Sequence, residues 1–263
     1  MAFIDAHVHL ATWPTKGECK KNILSGMERF GIDISIVSHA DCSSFPGDVR
    51  VPCPPISAVQ GLTEVLELAR ENPGKIYASA WIKPLVEPEP SAELTKLICD
   101  NRDVVVALKL HPFCERISPC DPRMEPYYEL ARHQNLPVLC HTALDFHSSI
   151  GRLILAAKEH PDIRFVAAHL ELGSDHNYAI NALKEAPNVF ADTAWVDALS
   201  AKKALDELGD DRVFFGTDAP IDGENTLGEE IYLSYLKNRL GLPETQFKAL
   251  MRENALSFYN IHE

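Results

Sequence analysis

Residues 3–10 read FIDAHVHL, and this stretch decides how the rest of the chain is read. Phe3, Ile4, Val8 and Leu10 predict a strand, in which alternate side chains share a face. That alternation sends Asp5, His7 and His9 to one side, and Ile4, Ala6, Val8 and Leu10 to the other. Such a strand has two readings: buried, hydrogen-bonded imidazoles, or ligands of a metal ion. The histidine pair alone does not choose between them, because short motifs match by accident.

Outward from this strand, strand and helix signals alternate regularly. ECKKNILSGMERFG predicts an amphipathic helix closed by Gly31, and DISIVSHA a second strand. Ser57 caps the helix AVQGLTEVLELAREN, which Pro73 and Gly74 stop. KIYASAWI and VVVALKLHP are the third and fourth strands, with the helix SAELTKLICDN between them. LPVLCHT, IRFVAAHL, NVFADTAW and RVFFGTDAP follow as strands, each after a helical segment, and two further helical segments end the chain. Eight strand–helix units without a linker predict an α/β (β/α)8 TIM barrel formed by residues 1–263 as a single domain. An open doubly wound sheet is the alternative, but no G-x-G-x-x-G follows the first strand.

Composition narrows the function. The chain has 263 residues, 46% of them hydrophobic, enough for a sizeable core. A formal net charge of −13 argues against nucleic acid or an anionic membrane as partner, and no apolar run is long enough to span a bilayer. The start, MAFIDAHV, has no basic region leading into an apolar core. Seven cysteines without a C-x-x-C pair read as reduced thiols in a cytoplasmic protein; Cys42 with Cys53, or Cys114 with Cys120, is the alternative of a disulfide or extra metal site.

Catalytic groups of such a barrel belong at the C-terminal ends of the strands. One pattern repeats there: His7 and His9 on the first strand, His39 on the second, Lys109 and His111 on the fourth. His141 ends the fifth, His169 the sixth, Asp192 and Trp195 follow the seventh, and Asp218 ends the eighth. His133, His160 and His262 read as solvated. Each residue alone has an ordinary reading, such as a satisfied core histidine, a snorkelling lysine or a turn-forming aspartate. Together they require several costly buried polar groups at one end of one barrel, which a shared metal explains at once.

DAHVHL, ALKLHP, LCHT, AAHL, ADTAW, FGTDAP and RENALSFY together resemble the amidohydrolase superfamily, in its amidohydrolase-related branch. The resemblance runs from the first strand to the last helix. It implies that His7, His9, His141 and Asp218 hold a catalytic divalent metal, zinc by preference. His169 then stands beside it, as a ligand of a second ion or as a group orienting water and substrate. Lys109 matches a position that carries a carboxylated, bridging lysine in two-metal members but an unmodified one in this branch, so one ion is expected rather than two.

Neutral imidazoles and a carboxylate suit zinc or a similar ion, which brings the pKa of a water towards ~7. Asp218 is the expected proton acceptor, and His169 the helper at the carbonyl. Lys109 and His111 are the expected contacts to substrate, and Trp195 and the loop from Asp41 to Pro55 wall the pocket. The reaction read from this is hydrolysis of a small-molecule amide, lactone or ester. The alternative is a metal-dependent decarboxylase of an aromatic or unsaturated acid. A TatD-type nuclease is disfavoured by Lys109, where that group has glutamate, and a non-catalytic metal-binding barrel by Asp218. A homo-oligomer stays open.

Overall fold

The computed structural model describes residues 3–45, 55–221 and 223–262. Its first half runs β1 (Phe3–Leu10), α1 (Lys16–Phe30), β2 (Ile32–His39), α2 (Ala58–Glu71), β3 (Ile76–Trp81), α3 (Ala92–Asp100) and β4 (Val105–Leu110). A one-turn helix, α4 (Pro112–Glu115), precedes α5 (Glu125–Gln134) and β5 (Val138–Ala143). The second half continues with α6 (Ile150–Glu159), β6 (Phe165–Leu172), α7 (Asn177–Leu183), β7 (Val189–Asp192), α8 (Ala198–Leu208) and β8 (Val213–Phe214). Helices α9 (Glu230–Leu236), α10 (Glu244–Lys248) and α11 (Asn254–Tyr259) follow, the last two joined through a π-helical turn at Ala249–Glu253.

The eight strands lie in the order β1 to β8, each parallel to the next. The segment after β8 closes the ring onto β1: Ala6 N donates to Phe215 O at 3.0 Å, Asp218 N to His7 O at 2.7 Å, and His9 N to Ala219 O at 2.7 Å. This is the (β/α)8 barrel the strand count predicts. The helix signals hold locally: Ser57 Oγ accepts Gln60 N–H at the start of α2, and Gly31 ends α1 in the left-handed region at φ 70°. GEEIYLSYLKNRLG is helical only over Glu230–Leu236.

Two apolar layers sandwich the strands. Outward residues such as Val8, Leu10, Val37, Leu108 and Leu110 pack with the helices. Inward residues Ile4, Ala6, Ile34, Ile36, Leu139 and Val166 fill the barrel and meet Phe258 and Tyr259 of α11. Phe258 stands 4.5 Å from Phe190 and 5.3 Å from Phe214, centroid to centroid, so α11 plugs one end of the barrel. The opposite end is left for the polar residues.

Strict alternation fails in β4, where Val106 and Ala107 both face inward, and, with more consequence for the site, in β1. Ile4 and Ala6 face the interior, but Val8 and Leu10 face the helices, and the β1–β2 register shifts between Asp5 and Val8. This is a β-bulge. It corrects the expectation that Asp5 shares a face with His7 and His9: Asp5 lies on the outer side with Val8, Ser35 and Ile23 around a small cavity. There its Oδ1 accepts His7 N–H at 3.2 Å and Thr217 N–H at 3.0 Å, and its Oδ2 accepts the Thr217 hydroxyl at 2.5 Å. His39 also points outward, to Glu64 of α2 at 2.9 Å, because Ser38 holds the inward position in β2.

Asp5→Ala leaves three buried donors without their acceptor. The expected loss in urea unfolding is roughly 2–4 kcal/mol, with a smaller loss for Asp5→Asn, which keeps the amide oxygen as acceptor.

Candidate metal centre

Strand ends bring the polar side chains to one mouth, and their hydrogen bonds fix which imidazole nitrogen is free. His7 Nδ1 lies 2.8 Å from Asp192 Oδ2. A carboxylate only accepts, so Nδ1 carries the proton and Nε2 keeps its lone pair. His169 Nδ1 donates to Ala194 O at 3.2 Å, which frees its Nε2 in the same way. His9 Nδ1 is 3.0 Å from Ser38 Oγ, a hydroxyl that serves either tautomer, and its Nε2 is 2.8 Å from Asp218 Oδ1. Asp218 Oδ2 accepts Trp195 Nε1–H at 2.9 Å.

One ligand atom each from His7, His169 and Asp218 lies within 4.8 Å of the other two. His7 Nε2 is 3.3 Å from Asp218 Oδ1 and 2.7 Å from Lys109 Nζ. Lys109, expected to meet substrate, is therefore fully buried within the cluster itself. His141 stands outside this tightest group: its ring is 4.8 Å from that of His169 and stacks on His111 at 3.8 Å and 15°. His111 in turn stacks on Trp81 at 5.8 Å and 23°. Residues 46–54 of the expected wall, Cys53 among them, lie outside the described residues. Cys114 and Cys120 form no disulfide.

Asp192 is the functional residue that sequence reasoning placed without a role. While Oδ2 holds His7, Oδ1 accepts His169 N–H at 2.9 Å and Ala194 N–H at 3.2 Å. The His169 bond sits at the head of three successive left-handed residues, His169, Leu170 and Glu171, at φ 70°, 45° and 68°. Each such non-glycine residue costs about 1–2 kcal/mol, and specific bonds hold the run: Glu171 N donates to Thr142 Oγ1 at 2.8 Å and His176 Nδ1 to Leu170 O at 2.8 Å. Gly216 keeps this space open, since a Cβ there lies 3.1 Å from His7 Cβ and 3.3 Å from Asp192 Cβ. Trp81 and Ser38 were missed as well. The inward parity of Ile34 and Ile36 predicts Ser38, and that of Ser79 predicts Trp81.

Burial sets the charge states. It drives His7, His111 and His141 well below the ordinary histidine value and His169 to about 4, with Lys109 reinforcing the shift in each. Burial also lowers Lys109, against the pull of Asp218 and Asp192. For Asp218 burial opposes ionisation, but His7, His9 and His169 outweigh it and hold the carboxyl well below its ordinary range. The result is a set of neutral imidazoles beside an ionised carboxylate. That donor set fits a divalent ion of the zinc or manganese type.

The family model described as Amidohydrolase matches residues 4–261, and the chain belongs to that family. Among solved structures, the 2,6-dihydroxybenzoate decarboxylase from Rhizobium is 17% identical at a TM-score of 0.71, covering 99% of both chains. The 5-carboxyvanillate decarboxylase of Novosphingobium aromaticivorans, solved with manganese and 4-hydroxy-3-methoxy-5-nitrobenzoic acid, is 13% identical at 0.73, covering 98% of this chain and 96% of that one. A probable 2-pyrone-4,6-dicarboxylic acid hydrolase from Acinetobacter baumannii, with citric acid bound, is 12% identical at 0.68, covering 99% and 100%. No curated protein sequence matches. No helix among the described residues is long and apolar enough to cross a membrane.

Removing the Asp192 carboxylate frees His7 and the left-handed run together. Asp192→Ala should bind zinc or manganese about 10–100-fold more weakly, the usual scale for partners of metal ligands, as competition with a chelator will read. The metal-free protein should also lose stability as pH falls from 6.5 to about 4, because His169 takes up its proton only when unfolded in that window. Urea midpoints against pH should fall there, and His169→Asn should shrink the fall by up to ~3 kcal/mol.

Proposed function

We propose that this chain is a metal-dependent hydrolase of a small-molecule amide, lactone or ester, working as one domain over residues 1–263. His7, His9, His141 and Asp218 hold one divalent ion, zinc by preference, with His169 beside them. When bound, the ion supplies Lewis acidity, acidifying a water and polarising the scissile carbonyl.

The observation that carries this reading is the asymmetric pinning of Asp218. Trp195 Nε1–H occupies Oδ2, while Oδ1 faces His9 and His7 across 2.8 and 3.3 Å. Oδ1 is thus the oxygen that takes the proton as water adds to the carbonyl carbon. The same proton passes to the departing nitrogen or oxygen as its bond to that carbon breaks. The free Nε2 of His169 accepts a hydrogen bond from the water and so orients it towards the carbonyl carbon. Lys109 and His111 supply N–H donors to a carbonyl or carboxylate of the substrate, and Trp195 walls the pocket. The six described cysteines form no disulfide, which supports a reducing, cytoplasmic setting.

The stacked rings of Trp81, His111 and His141 favour a second reading. A flat wall suits a planar unsaturated acid, which a decarboxylase would cleave without adding water across a bond.

The two readings part on product analysis. Lactones, amides and aromatic acids are offered to protein loaded with zinc or manganese, and carbon dioxide is measured beside hydrolysis products. The hydrolase reading expects turnover without carbon dioxide, and release of carbon dioxide overturns it. Purified protein should carry close to one tightly held ion per chain by elemental analysis, and His7→Ala should lose it while keeping the circular dichroism of a folded barrel. Asp218→Asn should keep most of its metal and lose roughly two to four orders of magnitude in turnover, the scale for a general base.

A further inference from the structure

Glu115 ends the one-turn helix α4, just beyond the mouth, and is 0% exposed. Its Oε1 accepts two hydrogen bonds, from Trp81 Nε1–H at 2.9 Å and from Ser44 N–H at 3.1 Å. Its Oε2 is buried and hydrogen-bonded to nothing among the described residues, as is the Ser44 hydroxyl. No described Lys or Arg lies within ion-pair distance of Glu115; the side chains of Ser44 and Trp81, and more weakly Lys83, oppose the upward push of burial on its carboxyl. A half-satisfied buried carboxylate is costly, and glutamine or an apolar residue would avoid the charge. The position therefore asks for a reason beyond packing.

The reason lies along the rings. Trp81 donates its single N–H to Glu115, which fixes the rotation of the indole in its own plane. The indole stacks on His111 at 5.8 Å, and His111 stacks on His141 at 3.8 Å. The Trp81 ring also lies 6.2 Å from that of His9, centroid to centroid, at 60°. One carboxylate thus sets one indole, and the indole bounds two sides of the mouth. Backbone bonds hold the same carboxylate in register with the segment before it: Phe45 N donates to Cys114 O at 2.8 Å.

We propose that Glu115 is a positioning residue for the candidate metal centre, setting Trp81 and through it the His111–His141 stack. Its backbone N–H donates to His111 O at 2.9 Å, a bond every substitution at 115 keeps, and its side chain touches no candidate ligand and acts through the indole. Glutamine at this position keeps an oxygen that accepts both N–H groups; alanine keeps none. Aspartate is one methylene shorter and does not span Trp81 and Ser44 together.

The test compares wild type, Glu115→Gln, Glu115→Ala and Trp81→Phe, all metal-free, by NMR of 15N-labelled histidine side chains. Trp81 lies face-on to His111, so the ring current of the indole displaces the His111 proton signals. In Glu115→Ala these signals should move towards ordinary histidine positions, and in Glu115→Gln they should stay as in wild type. Should the alanine variant fail to fold, Glu115→Asp takes its place with the same expectation. A second arm titrates Co2+: Glu115→Ala and Trp81→Phe should each bind about tenfold more weakly, the low end for residues that support ligands. The double variant should bind no more weakly than either single one, because both remove the same link. Unchanged His111 signals in a Glu115→Ala protein of lowered melting temperature overturn the proposal, leaving Glu115 as a tie for Ser44 alone. Losses that multiply in the double variant overturn it too. The cobalt arm rests on the metal-centre reading and the histidine signals do not, so failure of one is distinguishable from failure of the other.

Discussion

The bulge in β1 is the constraint on which the site depends. A regular strand that keeps Ile4 and Ala6 inside would turn Val8 and Leu10 inward too, and His7 and His9 out into the helix layer. The extra residue reverses the parity, and Asp5 pins the reversal by accepting His7 N–H and both donors of Thr217. Because Thr217 precedes Asp218, the carboxylate that sets His7 and His9 inward also sets the strand end that carries their acidic neighbour. The barrel's closure and the geometry of its mouth are one set of bonds.

Around that seam the protein concentrates groups that are expensive to bury. Lys109, Asp192, His7 and His169 are each almost fully buried. Imidazoles kept neutral by burial lower the cost, and burial pushes Lys109 and Asp192 towards their neutral forms as well. Asp192 spreads its charge over one imidazole and two backbone N–H groups. A divalent ion beside Asp218 fits this balance, because ligand atoms of His7 and His169 lie within 4.8 Å of its carboxylate, with Lys109 Nζ now donating to His7 Nε2 at 2.7 Å.

Membership of the amidohydrolase family and structural likeness at 12–17% identity describe a shared barrel. The chemistry rests with the side chains at the mouth. In this chain those are the Trp81–His111–His141 stack and the pairing of Trp195 with Asp218. The first lines the mouth with stacked rings, and the second gives Asp218 Oδ2 a donor while Oδ1 lies beside His9.

The sequence by itself determined the eight alternating units, the caps at Ser57 and Gly31, and the end of the barrel at which polar residues gather. These follow from local periodicity and from where each strand stops, both of which are written along the chain. It also picked out His7, His9, Lys109, His141, His169 and Asp218 as neighbours. Only the tertiary structure decided that Asp5 faces outward, that His39 leaves the mouth for Glu64, and that Lys109 lies inside the cluster against His7. It alone gave Asp192 its double role and brought Glu115 to Trp81. The reason is physical: a bulge changes side-chain parity without altering the apolar pattern, and hydrogen bonds between residues as far apart as His7 and Asp192 form only once the barrel has closed.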